Sequence, residues 1–136
     1  MGMHSKQKGK AGEREVRDLF RKAFVDIVED VSIIRRNHQQ AEIGGADLVG
    51  VPFYSVEVKR VKQISWGKEL DDWWEQTIRQ AEEPLGNPKA PCLVFRQDRG
   101  RWFVMVWGFL TGSYCNAYRV ILLWDDFEQF VKDNLM

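Results

Sequence analysis

The chain of 136 residues is poor in cysteine and histidine and carries no net charge of either sign. Cys92 and Cys115 are its two cysteines, too few for a disulfide framework and wrongly set for a zinc site. Cys92 lies in an apolar, strand-like run and reads as core; Cys115 lies in a loop of small residues. No secretion signal opens the sequence, so a reducing cytoplasm is the expected compartment. None of the apolar runs is long enough to span a membrane. His4 falls in a polar N-terminal stretch and His38 in a loop, where a single histidine is most simply a solvated side chain. There is no internal repeat and no linker, and the length suits one domain.

The zero net charge, 20 basic against 20 acidic residues, argues at first against nucleic acid. Its distribution argues the other way. Lys6, Lys8, Lys10, Arg14, Arg17, Arg21 and Lys22 crowd the first stretch, and Arg35, Arg36, Lys59, Arg60 and Lys62 follow. Asp125, Asp126, Glu128 and Asp133 gather at the other end. A basic front suits a surface that tracks phosphates.

Residues 1–9 are polar and read as a flexible basic tail. From Ala11 to Phe24, apolar residues recur at helical spacing. Val31–Arg36, Asp47–Val51 and Phe53–Val61 read as three strands, the second and third joined as a hairpin through Val51-Pro52-Phe53. Lys68–Glu83 reads as a helix stopped by Pro84. Cys92–Gln97 and Trp102–Trp107 form a second hairpin signal, Val120–Leu123 a last strand, and Asp126–Asn134 a closing helix. This is an α/β pattern: a central mixed sheet flanked by helices.

The chemistry concentrates in Asp47 and Glu57-Val58-Lys59. On a strand, Glu57 and Lys59 project side by side from one face. Asp47 opens a short apolar strand after a glycine turn, where an isolated acid is costly unless paired or bound to a cation. Two carboxylates, with the Val58 carbonyl as a third oxygen, suit Mg²⁺, which neutralises phosphate charge and activates water. Lys59 can orient or deprotonate that water, or stabilise the charge that builds on the phosphate. Glu-x-Lys alone also describes a solvated strand face; the Asp47 context is what turns it toward phosphodiester hydrolysis.

Asp47…Glu57-x-Lys59 resembles the PD-(D/E)xK nuclease superfamily. Lys8-Gly9-Lys10-Ala11-Gly12-Glu13-Arg14-Glu15-Val16 resembles the opening helix of archaeal-type Holliday junction resolvases, and the Trp-rich segment 66–74 looks more like a phage relative. The resemblance covers roughly residues 8–62 and implies a restriction-endonuclease-like core over residues 10–136. It implies that Glu13 joins Asp47, Glu57 and Val58 at the metal, with Mg²⁺ as the ion and Mn²⁺ as its substitute. It also implies a basic residue at Arg35 or Arg36, and a homodimer acting on branched DNA, since a four-way junction has two-fold symmetry. The expected setting is the cytoplasm of a bacterial, archaeal or phage-infected cell. Other readings are a repair or restriction endonuclease of the same superfamily, or a catalytically silent DNA-binding or phage assembly module.

Several supporting residues follow. The resemblance also implies a polar residue on the helix after the Lys strand that reaches the catalytic water or a phosphate, a part that falls to Gln80 or Gln76. Lys8, Lys10, Arg14, Arg35, Arg36, Arg60 and Lys62 are the candidate DNA contacts. Arg35 and Arg36 are consecutive strand residues, so only one can face DNA while the other packs or pairs. Trp73 and Trp74 read as packing residues. Trp66, in a loop beside Gly67, is the candidate to stack on a base.

Overall fold

A computed structural model describes residues 3–38, 45–82, 89–108 and 118–135, with side chains from residue 9 onward. Cys115 and Glu83 lie outside the described residues, as do residues 39–44 between the first two expected strands. Helix α1 runs Met3–Ala23. Apolar spacing marks it only from Ala11 because that is where it packs; lysine and glutamine extend a helix by propensity without leaving a periodic signal. Its buried stripe is Val16, Phe20 and Ala23, continued by Phe24 in the turn that follows.

The expected first strand over Val31–Arg36 is cut back to β1, Arg35–Arg36. Val31–Ile33 form a 3₁₀ turn instead, because the Asp30 side chain accepts the Ser32 N–H at 2.9 Å and caps it. Strand β1 pairs antiparallel with β2, Leu48–Val49. The chain then bends out of that ladder. Gly50 has φ +83°, and a Cβ there would lie 1.9 Å from the Ile33 carbonyl oxygen, so only glycine fits. Phe53 adopts φ 68°, and β2 meets the next strand through a single-residue link, Asp47 N–H to Val56 O at 3.0 Å, rather than as the expected hairpin ladder.

The main sheet holds β3 (Tyr54–Val61), β4 (Ala90–Gln97), β5 (Phe103–Trp107) and β6 (Arg119–Leu123) in that order. Strands β3 and β4 are parallel, and the later pairs are antiparallel. A parallel pair needs a crossover, and helix α2, Lys68–Glu82, supplies it. Helix α3, Trp124–Leu135, closes the chain. One core lies between one sheet face and α1 and α3, built on Val16, Phe20, Val56, Val58, Cys92, Val94 and Phe127. The other lies under α2, built on Ile64, Leu70, Trp74, Leu93, Phe95 and Met105. The architecture is a mixed sheet with helices on both faces. Among the described residues, no helix is long and apolar enough to cross a membrane.

Candidate active site

Alternation along β3 sorts its side chains. Val56 and Val58 belong to the α1 core, and Val61 packs against the α2 core. Ser55, Glu57 and Lys59 share the parity of Val61 and face α2. Their register partners agree: Glu57 lies opposite Leu93 and Lys59 opposite Phe95, both in the α2 core. Arg60 falls on the α1 face, beside its register partner Arg96.

Asp47 is held at the outer edge of β3. Its Oδ2 accepts the Val58 N–H at 2.8 Å. Its N–H donates to Val56 O at 3.0 Å, and its carbonyl accepts the Asn37 N–H at 2.9 Å. Asn37 Nδ2 also donates to Ala46 O at 2.9 Å, so one side chain ties down the turn that carries the acid. Nothing in the spacing of Asn37 along the sequence announces this clamp.

Asp47 and Glu57 are 7% and 3% exposed. Burial, then the Asp47 charge and a hydrogen bond between the two carboxyls, pushes Glu57 up to about 9, against a smaller pull from Lys59. Without a cation, Glu57 therefore carries a proton at neutral pH, because two buried carboxylates in contact cannot both ionise. No donor among the described residues reaches Glu57 Oε2, although the atom is buried. Glu13 on α1 belongs to the same electrostatic group. Burial first, then Asp47, raises it, while Arg36 opposes the rise. Arg36 Nε donates to Glu13 Oε1 at 3.0 Å.

This oxygen-only donor set fits a hard divalent cation. Mg²⁺ needs one or two carboxylates, with waters and phosphate completing its shell. Asp47 and Glu57 meet that need, with an acceptor oxygen on Glu57 that no donor among the described residues occupies. Among the described residues no three His, Cys, Asp or Glu side chains gather as a ready metal cluster. Glu13, engaged by Arg36, accordingly stands as an outer member of the group.

On α2, Gln80 has its Oε1 buried with no partner among the described residues, while Gln76 is half-buried. Thr77 is fully buried and its Oγ1 donates to the Trp73 carbonyl at 2.7 Å. Trp74 sits in the core with its ring 5.1 Å from that of Trp107, and half-buried Trp73 packs toward Phe95.

The basic candidates divide. Lys10, Arg14, Arg35 and Lys62 are exposed, and the side chain of Lys8 lies outside the described residues. Arg36 and Arg60 are both tied to carboxylates. Arg60 Nη1 donates to Glu15 at 2.8 Å, and Trp102 Nε1 donates to the same carboxylate at 3.2 Å. Arg96 lies 3.5 Å from Glu15 and stacks over the Trp102 ring at 5.2 Å. Gly12 lets α1 approach this cluster, since a Cβ there would sit 3.2 Å from Arg60 Cβ. The cluster went unseen in the sequence because Trp102 and Glu15 are 87 positions apart and share no pattern.

A family model described as "Phage putative PDDEXK endonuclease" matches residues 4–118. Protein D14 of Escherichia phage T5 is 30% identical over 118 residues, covering 76% of this chain and 71% of that protein. No solved structure matches the chain.

Proposed function

The chain belongs to the phage PDDEXK endonuclease family, and from that premise we propose that it is a Mg²⁺-dependent, structure-selective DNA endonuclease that resolves four-way junctions as a homodimer. The family fixes the coarse statement: a nuclease of a superfamily that uses divalent metals, acting on DNA. One observation carries the finer reading at the site. Two buried carboxyls stand against each other beside a lysine, with an acceptor oxygen that no donor among the described residues occupies.

In this reading Asp47 and Glu57 would hold the cation, the Val58 carbonyl would add a further oxygen, and Glu13 would support them. A bound divalent cation neutralises charge at the scissile phosphate and acidifies water. The chain's own residues set the geometry. The Val58 N–H aims the Asp47 carboxylate, and Arg36 restrains Glu13. Lys59, on the same strand face as Glu57, donates to the phosphate or orients the attacking water. Gln80, whose side-chain oxygen has no partner among the described residues, offers it to that water from α2. Lys10, Arg14, Arg35 and Lys62 provide phosphate contacts outside the pocket, and Lys8 joins them. Such contacts position DNA without reading its sequence. A four-way junction has two-fold symmetry, so two symmetry-related copies deliver paired cuts.

The test incubates the protein with Mg²⁺ or Mn²⁺ and synthetic four-way, flap and linear duplex DNA. The expected outcome is cutting of the junction, lost in Asp47→Asn while junction binding persists. Cleavage by Asp47→Asn at the wild-type rate refutes the site. Equal cutting of all three DNAs favours a repair-type endonuclease.

A further inference from the structure

Trp66 is the side chain whose placement the site does not use. It is 53% exposed, in a connection where Lys62, Gln63, Ser65, Gly67 and Lys68 are also exposed. An isolated indole among polar residues has two obvious uses: covering the core or meeting a ligand. The geometry separates them. Its ring meets Phe95 at 5.9 Å and 70°, and Phe103 at 5.5 Å and 84°. Both contacts are close to perpendicular, so neither phenylalanine lies parallel to the indole, and about half of the residue stays in solvent.

The ring is also held firmly. Ile64, two residues before it, is buried, and its N–H donates to Gln97 Oε1 at 3.1 Å. Just after it, the Gly67 carbonyl accepts the Asp71 N–H at 3.2 Å and begins α2. Both ends of this short connection are therefore fixed, and presenting the indole costs little further ordering. Its position is fixed relative to the site as well. Phe95, which Trp66 touches, is the register partner of Lys59. Phe103 lies opposite Phe95 on the next strand, so Lys59, Phe95 and Phe103 form one row across the sheet; at about 4.8 Å per strand, the indole that touches both phenylalanines stands one to two strand spacings, on the order of 5–10 Å, along that row from Lys59. Nucleotides follow one another at about 3.4 Å along a stacked strand, so that span is a few nucleotides.

We propose that Trp66 stacks on an unpaired base a few nucleotides from the scissile phosphate, and that this contact makes the enzyme prefer DNA with unpaired or unstacked bases over intact duplex. The proposal rests on the nuclease reading above. Aromatic stacking tolerates any base, because every base has a π-face. It needs that face exposed, which a closed duplex denies and a branch point or gap allows.

The experiment measures affinity for a four-way junction, a gapped duplex and an intact duplex, with Ca²⁺ in place of Mg²⁺ to hold the DNA uncut. Trp66→Leu keeps an apolar contact on Phe95 and Phe103 but removes the stacking face; Trp66→Phe keeps a face. Trp66→Leu is expected to weaken junction and gapped-duplex binding about tenfold or more, with duplex binding unchanged. Trp66→Phe is expected to recover most of that loss. Wild-type affinity in Trp66→Leu, or an equal loss on all three DNAs, overturns the proposal. Parallel cleavage assays in Mg²⁺ with the wild type and Asp47→Asn separate the two ideas. If the wild type cuts and Trp66→Leu binds as well as it does, only the stacking role falls. If the wild type neither binds nor cuts any of these DNAs, the nuclease reading falls and takes the stacking role with it.

Discussion

Replacing Glu57 by glutamine should make the metal-free protein more stable, even though it damages the proposed site. In the folded chain Glu57 holds its proton up to about 9, whereas an unfolded glutamate releases it near 4.5. The sign follows from proton binding. Below 4.5 both states are protonated, and the stability associated with this group is fully present. As pH rises from there toward 9, the unfolded state loses the proton while the folded state keeps it, and stability falls. Each pH unit in that window costs about 1.4 kcal/mol, so by pH 7 the deficit is about 3 kcal/mol. In Glu57→Gln the side chain has no proton to retain. Its amide can donate to the Asp47 carboxylate, as the protonated acid does. With unfolding entropy near 2 cal/mol/K per residue, the gain corresponds to a melting temperature raised by about 10 °C at pH 7. The assay is thermal unfolding by circular dichroism in EDTA from about pH 5.5 to 8.5, inside the window where the two states differ in protonation. The wild-type midpoint should drop across that range. The variant's should drop less, with a residual slope from Glu13, whose carboxyl is also held above its ordinary value by burial and by Asp47. Mg²⁺ should raise the wild-type midpoint more than the variant's. Parallel curves for the two proteins, or a variant that melts lower throughout, would refute the argument.

Three further outcomes are expected. Lys59→Ala should lose on the order of 10²-fold or more in turnover, yet bind metal at least as well, since a nearby cation has been removed; isothermal titration with Mn²⁺ and single-turnover cleavage measure the two effects. Arg35→Ala and Arg36→Ala should differ. Loss of the exposed Arg35 should reduce DNA affinity in a salt-dependent way, whereas Arg36→Ala should chiefly release Glu13, and equal losses in a filter-binding salt series would remove β1 from the DNA surface. Gly50→Ala should destabilise the fold by about 2 kcal/mol or more, because φ +83° disfavours alanine and its Cβ would overlap the Ile33 carbonyl; chemical denaturation reads this directly.

The site was legible wherever local periodicity decides geometry. Two-residue alternation alone put Glu57 beside Lys59, and both lie on the α2 face of β3, opposite Leu93 and Phe95. The same alternation required Arg35 and Arg36 to part company: Arg35 is exposed and Arg36 pairs with Glu13. The mixed sheet between helices was legible for the same reason. What escaped were features decided by single atoms or by distant partners. The Asp30 cap turns a β-like Val-Ser-Ile run into a 3₁₀ turn. Gly50 and Phe53 break the expected hairpin through backbone angles that composition does not encode. Glu15 gathers Arg60, Arg96 and Trp102 from remote parts of the sheet, so a residue quoted only within the opening-helix motif joins α1 to it.

The parallel pairing of β3 with β4 also governs the order in which this protein can assemble during synthesis. Glu13, Asp47, Glu57 and Lys59 all leave the ribosome before β4 exists. Until Ala90–Gln97 follow, β3 has no parallel partner, and until α2 crosses over, Glu57 has no cover. Closing that long connection precedes any reward from the non-local contacts it brings, so such strand pairs form slowly. A nascent chain can thus carry every proposed site acid and still have no buried pocket to hold them together. A pocket that buries them together requires the second half of the chain, folded back over the first.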